Sequence, residues 1–284
     1  MGAEGGAGAA AHITFIGTAT VLIEVGELRI LTDPNFLHAG DHAPLGGGLR
    51  SRRLTDPAIE LDDLPPLDAV VLSHHHGDHF DPVVVKRLDK ATRIITTPGS
   101  ARKLRRQRFT NVTALDTWSS TTVVNGDVSV HVTSTPGQHA PGPLRAVLPS
   151  VMGSVMDLRT AGRRLRLYVT GDTLLHGRLR EIPERWPDID LCLIHLGGTR
   201  IAGIMLTMDG TQGAEALRIV DPDAAIPIHY DDYTVFRSPL SDFRQAVEAA
   251  RLRTQVHYIA PGETHVAPLR PTVEAAPGRT AGSG

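Results

Sequence analysis

The sequence predicts a layered α/β fold in which two β-sheets pack face to face with helices on their outer surfaces. Three observations carry this expectation. Short β-type runs crowd the start of the chain, strands and helices alternate later, and the helices are apolar along one side only. At 284 residues the chain fits one large domain or two ordinary ones, and no convincing linker divides it. We therefore expect one domain over residues 12–268, between disordered tails at 1–11 and 269–284 that are rich in small residues.

Hydrophobic residues make up 41% of the chain, enough to bury a sizeable core. Only 4% is aromatic, so Val, Ile, Leu and Ala must fill that core. No apolar run is long enough to span a membrane. A net charge of −2 gives no global pull towards nucleic acid or an anionic membrane. The single cysteine, Cys192, cannot form an internal disulfide, and its apolar surroundings predict an ordinary buried thiol. Residues 1–11 lack the basic start and apolar stretch of a signal peptide, so a cytoplasmic location is expected.

Strands are expected at His12–Gly17, Thr20–Val25 and Leu28–Thr32, the last two joined by the turn Gly26-Glu27. A loop follows from Asp33 to Pro66, carrying Gly46-Gly47-Gly48. A loop of that length in a compact domain is expected to cover a site. Next come a strand at Ala69–Ser73 and a helix at Pro82–Asp89, with Asp81 as N-cap and Pro82 in the first turn. Strands at Arg93–Thr97 and Asn111–Leu115 flank a helix at Ser100–Arg108. A hairpin turns at Asn125-Gly126, and strands at Ser150–Leu158 and Leu165–Thr170 flank Gly162. Strands at Leu191–Leu196, Ala225–His229 and Gln255–Ile259 alternate with helices at Thr211–Val220 and Leu240–Arg251.

The most informative stretch is Ser73-His74-His75-His76-Gly77-Asp78-His79, directly after an apolar strand. Imidazole nitrogens and carboxylate oxygens suit zinc, manganese or iron. In extended chain, positions two apart point the same way, so His74 and His76 converge on one ion. A turn into helix at Asp78 would aim Asp78 and His79 at a second. His75 falls on the opposite side and is not counted. The run is internal and interrupted by Gly-Asp, unlike a purification tag. Three further groups each close an apolar run: His139 after Val128–Thr133, Asp172 after Tyr168-Val-Thr, and His229 after Ala225-Ile-Pro-Ile. Strand ends are where a layered fold collects functional groups.

The order and spacing of His74-x-His76-x-Asp78-His79, His139, Gly171-Asp172 and His229 resemble the metallo-β-lactamase-fold hydrolase superfamily. The opening Gly17-Thr-Ala-Thr-Val-Leu-Ile-Glu24 and Arg29-Ile-Leu-Thr-Asp33-Pro34 are similar to one branch of it. That branch includes L-ascorbate-6-phosphate lactonase and N-acyl phosphatidylethanolamine phospholipase D. The resemblance spans roughly residues 12–267. It implies a four-layer αββα sandwich with two divalent ions at one edge of the sheets, zinc first, with manganese or iron as alternatives. It implies that His74, His76 and His139 hold one ion, that Asp78, His79 and His229 hold the other, and that Asp172 bridges them. Asp33 would buttress the cluster, since ligating imidazoles need an acceptor for their other N–H. His76 replaces the Glu of the diiron flavoproteins, which favours hydrolysis over redox chemistry. No Cys occupies a ligand position, unlike in the best-known zinc β-lactamases.

The expected function is hydrolysis of an ester-type bond, a phosphodiester or lactone, by a metal-bridging hydroxide that Asp78 helps to aim. His195 is a candidate donor to the developing charge or leaving group, with a packing role as the equal alternative. His38, Asp41, His42 and Arg50 in the long loop, and Tyr230 beside His229, are candidate substrate contacts. Arg102, Lys103, Arg105, Arg106 and Arg108 wrap around their helix, which favours a solvated surface over a nucleic-acid face. A small-molecule substrate is the expected partner and nucleic acid is not, although a nuclease stays an alternative. A non-catalytic metal-binding sensor or assembly protein is the other alternative. Oligomeric state, a homo-oligomer included, is left open.

Overall fold

A computed structural model of the chain describes residues 10–46, 48–142, 149–201 and 203–272. Two sheets form its centre. In the first, the strands run side by side as Thr264–Pro268, Ala10–Gly17, Thr20–Val25, Leu28–Thr32, Ala69–Leu72, Ile94–Thr96 and Val112–Ala114. Pairing is antiparallel up to Leu28–Thr32 and parallel from there on. In the second sheet the order is Gln255–Val256, Ala224–Ile228, Leu191–His195, Arg163–Val169, Met152–Thr160, Val128–Pro136 and Ser120–Asn125. The short strand Arg270–Pro271 also pairs with Arg163–Val169.

The strand period of two explains the layers. Ala69 and Val71 join Ile13, Phe15, Ile23 and Ile30 in the core between the sheets, facing Val130, Val132, Met156, Leu167 and Leu193. Val70 and Leu72 point the other way, onto Val84, Leu104 and Phe109 of the outer helical layer. On the second sheet, Tyr168, Cys192 and Ile194 meet Leu217 and Phe243 of the helices Gly210–Val220 and Leu240–Ala250. Both faces of the inner strands are thus covered, which is why these segments read as continuous apolar runs. The result is the expected αββα arrangement. Each fully buried Leu, Ile or Phe contributes about 1.5–3 kcal/mol.

Several expectations need correction. Ala10 and Ala11 belong to the first strand, paired with Pro268 and Ala267, and Leu269 is buried, so the folded region extends past 12–268 at both ends. The remaining expected tail residues, 1–9 and 273–284, lie outside the described residues. The expected loop Asp33–Pro66 contains a hairpin, His42–Gly46 against Leu49–Arg52, and a short turn at Leu61–Asp63. Pro and Gly hid those strands from a propensity reading; Pro44 is tolerated because the pair is an isolated two-stranded ribbon. The helix after the His-rich run starts at Pro82 with Asp81 as its N-cap, as expected, but ends at Arg87 rather than Asp89, and Asp78 lies before it. Its predecessor is a tight turn in which His76 C=O accepts from His79 N (3.1 Å) and Phe80 N (2.8 Å). The helices Gly177–Arg180 and Glu181–Arg185 were not anticipated. No helix among the described residues is long and apolar enough to cross a membrane.

Candidate metal centre

Chain segments that end at one edge of the two sheets deliver the site. Ala69–Leu72 leads into His74, His76, Asp78 and His79; Val128–Pro136 leads into His139; Arg163–Val169 leads into Asp172; and Ala224–Ile228 leads into His229. Gly171, just before Asp172, has φ +61°, and a Cβ there would lie 2.6 Å from the Met152 carbonyl oxygen. Only glycine lets the chain turn so close to its neighbour. His229 (φ 61°) and Asp33 (φ 36°) hold the left-handed conformation without being glycine, the kind of strain that gathers at functional sites.

Donor atoms converge in three groups, one of them Asp33, His79 and His195 behind the cluster and the other two adjoining at its front. Of the front two, one is formed by His74, His76 and His139, the other by Asp78, His79, Asp172 and His229; within each, one atom per residue lies within 4.8 Å of all the rest. Asp172 stands between them: its Oδ2 is 3.1 Å from His79 Nε2 and 4.0 Å from His74 Nε2, and its Oδ1 is 3.5 Å from His229 Nε2. Six of the seven side chains are buried, His74, His79 and His229 fully, and His76 is partly exposed where it lines the cleft.

An acceptor behind each of three rings orients it. His74 Nδ1 is 3.0 Å from Ser73 Oγ, His79 Nδ1 is 3.5 Å from Asp33 Oδ2, and His229 Nδ1 is 3.2 Å from the Leu196 carbonyl. Asp33 is itself fixed, accepting from Ser73 N (2.7 Å) and Ser73 Oγ (2.9 Å). By contrast, His79 Nε2, His229 Nε2, His139 Nδ1, Asp78 Oδ1 and Asp172 Oδ1 are buried and, among the described residues, have no partner in hydrogen-bonding geometry. Orphaned buried polar atoms are costly unless something binds them. Five of them aimed at one spot, all imidazole or carboxylate with no thiolate, fit divalent cations.

Charge separates the two front groups. Burial, then the neighbouring imidazoles, holds His74 well below its ordinary pKa; burial, with His139 next in weight, brings His76 to about 3; and burial also lowers His139. These three rings are neutral and ready to coordinate. At His79, burial works to lower the pKa, but Asp172, Asp33 and Asp78 outweigh it and hold it well above the ordinary value. His229 is raised in the same way by Asp172 and Asp78. For Asp172, burial alone would raise the pKa, and the facing His229 and His79 bring it far down instead.

Beside the centre lies a cleft of about 770 Å³. His76, Asp78, His139 and Asp172 form its polar floor, and Pro44, Leu45, Leu49, Phe80, Ile204 and Leu206 wall it. The long loop does reach the site, but not through the residues expected. His38 is exposed and pairs with Glu60 and Asp56; His42 and Arg50 are exposed on the hairpin; Tyr230 packs on Phe15; none of these four lines the cleft. Asp41 is likewise exposed, its carboxylate accepting from His38 N. His195 is fully buried, stacked on His79 at 6.1 Å, with Nδ1 3.3 Å from Thr170 Oγ1 and Nε2 3.6 Å from Asp33 Oδ2. It too is absent from the cleft wall. Its Nε2 has no partner in hydrogen-bonding geometry among the described residues and converges with Asp33 and His79 behind the cluster, a place from which it can support His79 without lining the substrate cleft.

Sequence reasoning missed the supports. Asn35 donates to the Gly77 carbonyl (3.0 Å) and is held by the buried Arg53 and by Tyr233 Oη (2.9 Å). Asp81 caps the following helix as expected, accepting from Val84 N (2.9 Å), and also accepts from Phe36 N and from Leu37 N (3.1 Å). The only signal in the sequence was their adjacency to Asp33 and to the His-rich run.

With that geometry in place, comparison with known proteins is decisive. The beta-lactamase superfamily domain matches residues 28–230, well over half of the chain. The chain belongs to that superfamily. A metal-dependent hydrolase from Archaeoglobus fulgidus is 29% identical over 261 residues, covering 89% of this chain and 97% of its own length. The N-acyl-phosphatidylethanolamine-hydrolyzing phospholipase D 1 of Caenorhabditis elegans is 26% identical, covering 78% of this chain and 64% of the relative. Among solved structures, isothiocyanate hydrolase from Delia radicum gut bacteria superposes with a TM-score of 0.75 at 20% identity, covering 90% of this chain and 99% of that one. The superfamily member described here is accordingly a metal-dependent hydrolase of the metallo-β-lactamase fold, and the non-catalytic alternative falls away.

Proposed function

We propose that this hydrolase is binuclear, that zinc is its metal, and that it cleaves an ester-type bond, a phosphodiester or a lactone. His74, His76 and His139 would hold one ion and Asp78, His79 and His229 the other, with Asp172 shared. The observation that carries this reading is the position of Asp172, within 4.0 Å of imidazoles from both front donor groups. Bound divalent ions supply Lewis acidity and lower the pKa of water into the neutral range.

The chain's own residues do the rest. Asp78 lines the cleft and its Oδ1 has no hydrogen-bond partner among the described residues, so it can accept a proton or a hydrogen bond from a water molecule there. Ser73, Asp33 and the Leu196 carbonyl hold the imidazoles in orientation, so little reorganisation is needed on binding. Apolar walls exclude bulk water from the substrate's hydrocarbon part and strengthen the polar contacts at the floor. The worm relative, named for hydrolysing N-acyl-phosphatidylethanolamine, supports the phosphodiester reading. The apolar lining favours a small substrate over a nucleic-acid strand.

Elemental analysis together with turnover of bis-p-nitrophenyl phosphate and a lactone panel tests this. Two zinc ions per chain, and loss of both turnover and one ion in His229→Ala, are expected. Full turnover with a single ion per chain would sink the binuclear proposal.

A further inference from the structure

We propose that the cleft carries an anion-recognition subsite, formed by Lys103 and Gln107, for a negatively charged group at the end of the substrate away from the metals. The inference rests on the reading above, because the metal floor fixes the other end of the substrate.

The helix Pro98–Arg106 continues through its C-cap Gln107, and Lys103 and Gln107 stand one turn apart on it. Both line the cleft, together with His75, whereas the other basic residues of this helix do not. From Pro98 to Arg108 there is no acidic residue, and Lys103 forms no ion pair among the described residues. His75 Nε2 lies 2.9 Å from Gln107 Oε1. With the ring N–H donating to that oxygen, the Gln107 amide NH2 has no protein partner among the described residues. Lys103 and Gln107 thus line the same cleft, and neither the ammonium nor the amide N–H has an acceptor among the described residues. Phe80, Leu45 and Leu49 line the same cleft, and their side chains offer no partner to a polar group.

The substrate this arrangement fits is amphipathic: a hydrolysable group at the floor, a hydrocarbon middle against the walls, and a carboxylate, sulfate or phosphate at Lys103 and Gln107. Charge-assisted hydrogen bonds are roughly twice as strong as neutral ones, although exposure of the Lys103 head moderates the gain.

A test independent of turnover uses hydroxamic acids, which anchor on metal ions. Zinc-loaded protein is titrated with monohydroxamates of the dicarboxylic acids from succinic to sebacic, each paired with the alkanohydroxamic acid of equal length. We expect one length at which the carboxylate-bearing member binds about three- to tenfold tighter, an advantage that shrinks as salt rises. Lys103→Met should bring the ratio to one and Gln107→Leu should reduce it. Arg106→Met removes the same charge from the same helix away from the cleft and should keep the ratio. Equal binding of each pair at every length, or a preference that survives Lys103→Met, overturns the subsite while leaving the metal centre standing. Failure of every hydroxamate to bind overturns the metal centre, and the subsite with it.

Discussion

Asp81 offers the sharpest test of how the site is braced. Its carboxylate accepts from three backbone N–H groups: Val84 at the start of the helix Pro82–Arg87, and Phe36 and Leu37 at the entry to the hairpin that walls the cleft. All three bonds are buried. Removing a helix N-cap costs about 1 kcal/mol. Leaving two further buried N–H groups unpaired costs about 1–3 kcal/mol each. Part of this is returned, because burial raises the Asp81 pKa despite the backbone donors, so the ionised carboxylate is held at some expense. A folded pKa above the unfolded value means that ionisation opposes folding as pH rises, and that the opposition is relieved as pH falls through the folded value. The net expectation for Asp81→Ala is a loss of about 2–4 kcal/mol, or about 1 M in urea midpoint. Asp81→Asn retains one acceptor oxygen and should lose less than half of that. Urea unfolding at pH 7 with a fixed excess of zinc measures both. An alanine variant within about 0.5 kcal/mol of wild type, or an asparagine variant less stable than the alanine one, would refute the reasoning.

Three further outcomes are expected. On the two-ion reading proposed above, zinc entry at His79 and His229 should release protons at pH 7, and entry at His74, His76 and His139 should not, because His79 and His229 have raised pKa values while the other three are lowered; titration calorimetry in buffers of different ionisation enthalpy reads this, and the affinity at the His79 position alone should climb with pH towards the His79 pKa. Asp33→Ala should weaken zinc binding by about 10–100-fold, since it removes the acceptor behind His79 and the brace on Ser73, and competition with a zinc chelator measures the change. In Gly77→Ala the new Cβ would lie 2.3 Å from Pro44 Cδ and 2.6 Å from the Pro44 carbonyl oxygen, so the hairpin must move away from the cleft; KM for the best substrate should rise by more than kcat falls, and unchanged kinetics would contradict the close approach.

Part of the site was legible because metal ligation depends on side-chain identity. Each of His139, Asp172 and His229 ends an apolar run, and a strand end is visible without knowing where the strand lies. The His-rich run adds fixed spacing on extended chain, so its convergence follows from local geometry. Substrate contacts have no such signature. His38, His42, Arg50 and Tyr230 are polar residues near the right place, and in the structure they turn to solvent or to packing. Leu45 and Leu49, which carried no signal, form the wall instead. His195 stayed open between two roles for a related reason: a strand-end histidine looks the same whether it faces a cleft or stacks behind another ring.

From the sequence alone came the two-sheet architecture and the histidines and aspartates that the fold brings together, because these rest on periodicity and on which atoms bind cations. Tertiary structure alone decided which loop residues reach the cleft, that Asn35, Arg53 and Asp81 brace it, and that one face of a basic helix opens into it. Those features depend on contacts between segments distant in the chain, Phe36 with Asp81 and Gly77 with Pro44, whose register no local pattern encodes. Side-chain direction in an irregular loop is set by such anchors, so it emerges only when the chain has folded.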